Sequence, residues 1–162
     1  MSLQGYFVRS NLPYKFSKPT GGTGWSDLDL CAVHPRTGDA AAVEVKGWHT
    51  EAITPAHLHE WPSLFYFTRE EATKAVRAVI GDRDFRRLLV VGRLGAHGRQ
   101  EVLAYAAHKG VEILEFPIIL KALIAATEPG RSADSAYEHM IRVLDVYGFL
   151  VRDVAEPPPD AN

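Results

Sequence analysis

A single cysteine, Cys31, stands in 162 residues, so neither an internal disulfide nor a cysteine-rich zinc site can form. That argues against a secreted, disulfide-stapled domain and for a reducing, cytoplasmic setting. No apolar run approaches the roughly 18 residues that a membrane span requires. The longest, 118–126, is short and broken at Lys121. The N-terminus lacks the charged, apolar and small-residue parts of a signal peptide. A dominant charge is missing too: 18 Lys+Arg against 20 Asp+Glu leave a net −2, which by itself indicates no polyanion partner. The Gly-rich stretch Lys18–Gly24 lacks the Gly-Lys-Ser/Thr ending of a phosphate-binding P-loop, and no helix follows it, so that motif is rejected.

What remains is the composition of a soluble globular chain, 46% hydrophobic and 23% charged, long enough for one compact domain and one core. The first third reads as strands. Gly5–Arg9 is rich in aromatic and β-branched residues and ends at the turn formers Ser10, Asn11 and Pro13. Asp27–Val33 and Ala41–Lys46 alternate on either side of the turn His34–Asp39, which predicts a β-hairpin. Thr54 and Pro55 open a short helix to about Trp61. Thr68–Glu71 has capping-box spacing ahead of a helix that Gly81 stops. Arg87–Arg93 is a buried-strand run, 99–108 a helix ended by Gly110, and Val111–Phe116 a further strand. Strand, helix, strand makes these two strands parallel and the sheet mixed. Two more helices are expected, over 117–127 and 133–151. In the second, Tyr137, Met140, Ile141, Leu144, Tyr147 and Val151 form one stripe, fit for a core or a homodimer face. The expected class is therefore α/β, a mixed sheet flanked by helices (α+β), as one domain over 1–154. Its core spans about 5–116, its C-terminal helices 117–151, and a flexible tail 155–162.

The chemistry is concentrated in Ser26–Leu30 and in Glu44-Val45-Lys46. Side chains alternate along a strand, so Asp27 and Asp29 share one face, as do Glu44 and Lys46. Leu28, Leu30, Val43 and Val45 take the other. A two-residue Thr37-Gly38 loop sets Asp29 opposite Lys46, and a slip of two sets it opposite Glu44. Either register brings Asp29, Glu44 and Lys46 within cross-strand reach. Adjacent carboxylates repel and raise one another's pKa unless a cation lies between them. Oxygen ligands on rigid strands suit Mg²⁺ or Mn²⁺, and a neighbouring lysine can stabilise a phosphorane-like transition state or help deprotonate water. Together these are the parts of metal-assisted phosphodiester hydrolysis.

Ser26–Leu30, the turn and Ala42–Gly47 resemble the PD-(D/E)xK signature of the restriction-endonuclease-like superfamily, Holliday-junction-resolvase-like members above all. The resemblance covers about residues 5–116. It implies a restriction-endonuclease-like core, a mixed sheet with the aspartate and the (D/E)xK tripeptide on adjacent strands. It implies DNA as substrate and Mg²⁺ or Mn²⁺ as cofactor. Asp29 and Glu44 would hold the metal, the Val45 carbonyl would be a further ligand, Asp27 an additional acid and Lys46 the catalytic lysine. The family's first helix would need more than the four residues ahead of Gly5; either it was cut off or another element, such as the helix from Ala133, replaces it. A catalytically inactive nucleic-acid-binding or protein-interaction module of the same fold is the alternative, and an unrelated α/β domain with a surface ion pair of Lys46 to Asp29 or Glu44 is a third.

Arg9, Lys15, Lys18, Arg36, Arg83, Arg86 and Arg87 are candidate phosphate contacts or ordinary solubilising charge. Trp48 and His49 directly follow the Glu-x-Lys strand and could stack on a base or simply pack. His57 and His59 diverge on a helix and read as structural rather than as metal ligands, and Cys31 as an apolar filler. Residues 1–110 carry 14 Lys+Arg and 11 Asp+Glu, a net +3, while 111–162 carry 4 and 9, a net −5. The small overall charge thus hides a basic nuclease-like part and an acidic C-terminal part.

Overall fold

The computed structural model describes residues 5–18, 20–46 and 52–126; side chains are described through Ala122. The chain divides into two units, 1–119 and 120–162. The first holds a five-stranded mixed sheet in the order β1-β2-β3-β4-β5. Of the second unit, only the end of one helix is described. The expected helix over 133–151, its stripe and the tail lie outside the described residues, as do Trp48 and His49. Among the described residues, no helix is long and apolar enough to cross a membrane.

Strands β1 (Phe7–Ser17) and β2 (Thr23–Val33) form a long antiparallel hairpin, from Phe7↔Val33 to Ser17↔Thr23. Gly21 and Gly22, at φ +87 and +80, turn the chain, closed by the Gly21 amide on the Lys18 carbonyl at 3.1 Å. The first strand therefore does not end at Ser10–Pro13. Pro13 is tolerated because β1 is an edge strand and its missing N–H has no partner to lose. Asn11 is tolerated because its short polar side chain permits the left-handed conformation, and it adopts φ +51. The ladder skips one couple there, running Ser10↔Leu30 and resuming at Leu12↔Leu28. Asn11 and Asp29 are left between.

Strand β3 (Ala40–Lys46) pairs antiparallel with β2 from Val33↔Ala40 to Leu30↔Val43. That register is the one that faces Asp29 toward Glu44. The tight Thr37-Gly38 loop does not form. Instead the six residues 34–39 close on themselves, with the His34 amide on the Asp39 carbonyl at 2.7 Å and the Gly38 amide on the His34 carbonyl at 2.9 Å. The Asp39 carboxylate is held by the Tyr6 hydroxyl and by Arg86.

From β3 the chain crosses through α1 (Pro55–Glu60), a 3₁₀ helix Pro62–Thr68 and α2 (Glu70–Ile80) to β4 (Arg86–Val91), which pairs parallel with β3. A second crossover, α3 (Arg99–His108), leads to β5 (Val111–Glu115), parallel to β4 as expected. Helix α4 (Phe116–Ala126) follows directly. Thr68 does not cap α2. Its hydroxyl donates back to the Phe65 carbonyl at 2.8 Å, closing the 3₁₀ turn, and Arg69 becomes the N-cap.

Both sheet faces are covered. The larger core lies against the crossover helices and takes Leu12, Leu28, Cys31, Ala40, Ala42, Leu64, Phe67, Val76, Leu89 and Val102. The smaller takes Ala41, Val43, Leu88 and Val90, with Leu30, Leu114 and Ile119 packed on it. Leu28 and Leu30 thus serve opposite sides rather than one shared face. The burial phase of β2 shifts where Asn11 and Asp29 interrupt the ladder, while Val45 is 40% exposed.

Candidate active site at the strand fork

Strand β3 continues beside β4 to Lys46, but β2 stops pairing with β3 after Leu30↔Val43. The two strands part at that point, and the acidic residues sit in the fork. Asp29 is the first residue past the last pair. Its Oδ2 accepts the Val45 amide N–H at 2.6 Å, so a side-chain carboxylate takes the acceptor role that a strand carbonyl would otherwise fill. That bond fixes Asp29 against β3 and accounts for the backbone N–H of Val45 where the ladder ends.

Glu44 alternates with Ala40 and Ala42 and so points to the larger core. It is 7% exposed and is the buried charged residue among those described. Its Oε1 accepts from the Lys46 Nζ, two residues along the same strand. Its Oε2 is buried with no hydrogen-bond partner. Burial pushes the Glu44 carboxyl above the ordinary glutamate range; the hydrogen bond and charge of Lys46 pull it back, and the charges of Asp29 and Asp27 add to the rise. Lys46 keeps 23% of its side chain in solvent, and Asp27 is exposed on β2. The structure therefore brings Asp29, Glu44, Val45 and Lys46 together, with Asp27 at their edge. The Lys46–Glu44 pair is half-buried, with Glu44 covered and Lys46 partly in solvent.

Two residues without a role in the sequence analysis, Tyr14 and Arg69, belong to the same region. Tyr14, on β1 opposite Ser26, is 4% exposed. Burial raises its phenol above the ordinary value; the Ser26 hydroxyl and Arg69 oppose this, while Glu44 and Asp27 add to it. Arg69 packs against two adjacent rings, its guanidinium carbon 3.7 Å from the Tyr66 centroid and 4.8 Å from that of Phe16. Its Nη1 is buried without a hydrogen-bond partner. The sequence offered one usable signal, the alternation Leu12, Tyr14, Phe16. The turn formers around it concealed that signal, and Arg69 read only as part of a helix start.

Among the described residues, no three His, Cys, Asp or Glu side chains converge as a metal cage. A cation in the fork would take two carboxylates and otherwise backbone or water oxygens, as Mg²⁺ commonly does. The orphaned Glu44 Oε2 fits such a group: it is a buried acceptor whose lone pairs meet no donor, near the charge of a second carboxylate, Asp29.

The remaining candidates separate. His57 stacks on Trp61 at 3.8 Å and accepts the Thr54 amide through Nδ1 at 3.1 Å, a helix-start role, while His59 is exposed. Cys31 is buried in the core and burial raises its thiol. Arg86 pairs with Asp39 and Glu112, and Arg87 donates through Nη2 to the Thr73 hydroxyl at 2.9 Å while its Nε is buried without a hydrogen-bond partner. Arg9, Lys15, Lys18, Arg36 and Arg83 are exposed. Lys15 and Lys18 part company: Lys15 lies over the Trp25 ring at 5.9 Å, while the Lys18 stem lies by Gly24 on the Phe16 side. Comparison of the chain with protein-family models, with curated proteins and with solved structures finds no match.

Proposed function

We propose that this chain is a divalent-metal-dependent phosphodiesterase domain that hydrolyses DNA at the fork between β2 and β3. The observation that carries the reading is Glu44, a buried carboxylate with an unpartnered oxygen, held beside Asp29 and Lys46. A buried charge with a missing partner is costly, and proteins retain such groups where chemistry needs them. The resemblance to PD-(D/E)xK nucleases calls for an aspartate strand beside a Glu-x-Lys strand in a mixed sheet flanked by helices. The antiparallel β2–β3 pair and the parallel β3–β4–β5 set support it.

In this reading Asp29 and Glu44 would hold Mg²⁺ or Mn²⁺, with the Val45 carbonyl as a further ligand and Asp27 as an outer acid. Such an ion would supply activation of the attacking water and offset phosphate charge. The chain's own residues do the rest. The Val45 amide fixes the Asp29 carboxylate in one orientation. Lys46 opposes the effect of burial on Glu44. Its partly exposed ammonium is placed to donate to the charge that develops on the phosphoryl oxygens.

Plasmid and branched DNA, incubated with Mg²⁺ or Mn²⁺, test this directly. Wild type should cleave, and Glu44→Ala and Lys46→Ala should each lose about a hundredfold or more, as removal of one stabilising group commonly does. Equal cleavage by all three proteins, or none by wild type, contradicts the proposal. One observation favours the second reading, a binding module without chemistry: Lys46 already neutralises Glu44 within the fold. DNA binding without any metal-dependent cleavage is its signature.

A further inference from the structure

Beyond Leu30 the β1–β2 hairpin projects past β3 as an arm with two unlike faces. On one, Leu12 and Tyr14 are buried and Phe16 lies over Gly24, where a Cβ would meet its ring at 2.7 Å. The other face is open. Lys15, Trp25 and Asp27 are all exposed there, and Trp25 is 71% exposed, the most of any large hydrophobic residue among those described. Its indole has a single cation beside it, the Lys15 Nζ, 5.9 Å from the ring centroid. Leaving an indole in water forgoes the burial that makes aromatic side chains stabilising. Among the described residues, Lys15 is the side chain that meets the ring.

We propose that the Lys15–Trp25 pair is a stacking platform for an unpaired base of single-stranded or branched DNA, placed to lead that strand to the acidic fork. The inference rests on the phosphodiesterase reading and names the substrate form that the site takes. An aromatic face with a cation at its side is the elementary unit of single-strand recognition, because every base has a π face and every linkage a phosphate. Trp25 lies on the same strand as two of the acids, two residues from Asp27 and four from Asp29. At about 3.3 Å per residue these are separations of about 7 and 13 Å, within a few nucleotides of chain. The indole is on the sheet face opposite the one to which Glu44 points, so a strand stacked there would reach Glu44 through the opening of the fork. A duplex keeps its base faces covered and would have to unpair to use this indole. A protein partner fits less well, since specific protein interfaces take about 800 Å² per side and this indole is flanked by the charged Lys15 and Asp27.

The full chain in EDTA, titrated with a labelled oligothymidylate and with a duplex of the same length, separates the outcomes. Trp25→Ala should weaken single-strand binding about five- to a hundredfold, and Trp25→Phe should retain most of it. Duplex affinity should hardly change. Lys15→Ala should lose less and flatten the salt dependence. Thermal melts confirm that these surface variants stay folded. Unchanged single-strand binding by Trp25→Ala, an equal loss on duplex, or no oligonucleotide binding by wild type overturns the platform. So does a wild-type dimer that Trp25→Ala dissociates in sedimentation, because the indole then joins two copies of the chain. Glu44-dependent cleavage with binding indifferent to Trp25 rejects the platform and keeps the phosphodiesterase. Trp25-dependent binding without cleavage does the reverse.

Discussion

Glu44 sits where two tendencies oppose each other. Desolvation raises its pKa and outweighs the hydrogen bond and charge of Lys46. In the metal-free chain the folded state therefore holds a proton at pH values where the unfolded state has released it. With more protons bound in the folded state, stability falls as pH rises from the ordinary glutamate value through the raised one. Glu44→Gln keeps the shape and removes the charge. Melted in EDTA, it should exceed wild type near neutral and alkaline pH by about 2–4 °C, the shift that roughly 1 kcal/mol gives in a domain of this size. The two curves should converge in acid. A variant that melts below wild type at about pH 8 would mean that the Lys46 bond outweighs burial. The same substitution should abolish cleavage, so a residue that costs stability would be one that activity requires. The candidate residues were legible in the sequence, because parity along β3 joins Glu44 to Lys46 and the hairpin sets Asp29 beside them. Parity along β2 fails, since Leu28 and Leu30 serve opposite cores. The burial of Glu44 was not legible, because alternation shows which residues share a face but not how deeply that face is covered.

At the scale of elements, Asn11 interrupts the β1–β2 ladder where the fork opens. A single left-handed residue shifts the burial phase of the hairpin and leaves Asp29 free of the β1–β2 ladder. Asn11→Gly should be close to neutral. Asn11→Val should destabilise by about 1–2 kcal/mol, the cost of the left-handed conformation for a side chain that cannot relieve it. Urea unfolding measures both, and equal midpoints for Val and Asn would show that the kink is held by something other than this residue. The sequence concealed this element for the same reason. Ser10, Asn11 and Pro13 are turn formers by composition, yet on an edge strand a proline and a left-handed asparagine are tolerated. By contrast, helix α3 was legible to its ends, with Gly110 following it and parallel strands on either side. The 3₁₀ segment Pro62–Thr68 was not, since its Leu64, Phe65 and Phe67 are set by packing into the larger core rather than by a periodic pattern.

For the whole molecule, two cores on opposite faces of one sheet make β3 and β4 rigid. The parallel strands anchor Glu44 and Lys46 while the β1–β2 arm departs with Asp29. A site built at such a fork is pre-formed on one side and open on the other, which suits a polymer that must pass through rather than a small molecule that must be enclosed. The charge division along the sequence agrees with that arrangement: the part that holds the fork is net positive despite its carboxylates. The central claim is that the unpartnered Glu44 oxygen and the Asp29 carboxylate together bind a divalent cation, and calorimetric titration with Mn²⁺ tests it most directly. Wild type should show saturable binding, weakened at least about tenfold in Asp29→Asn and in Glu44→Gln, as loss of one charged ligand commonly produces, and retained in Lys46→Ala. Mn²⁺ binding that is absent in wild type, or identical in wild type and both carboxylate variants, would contradict it.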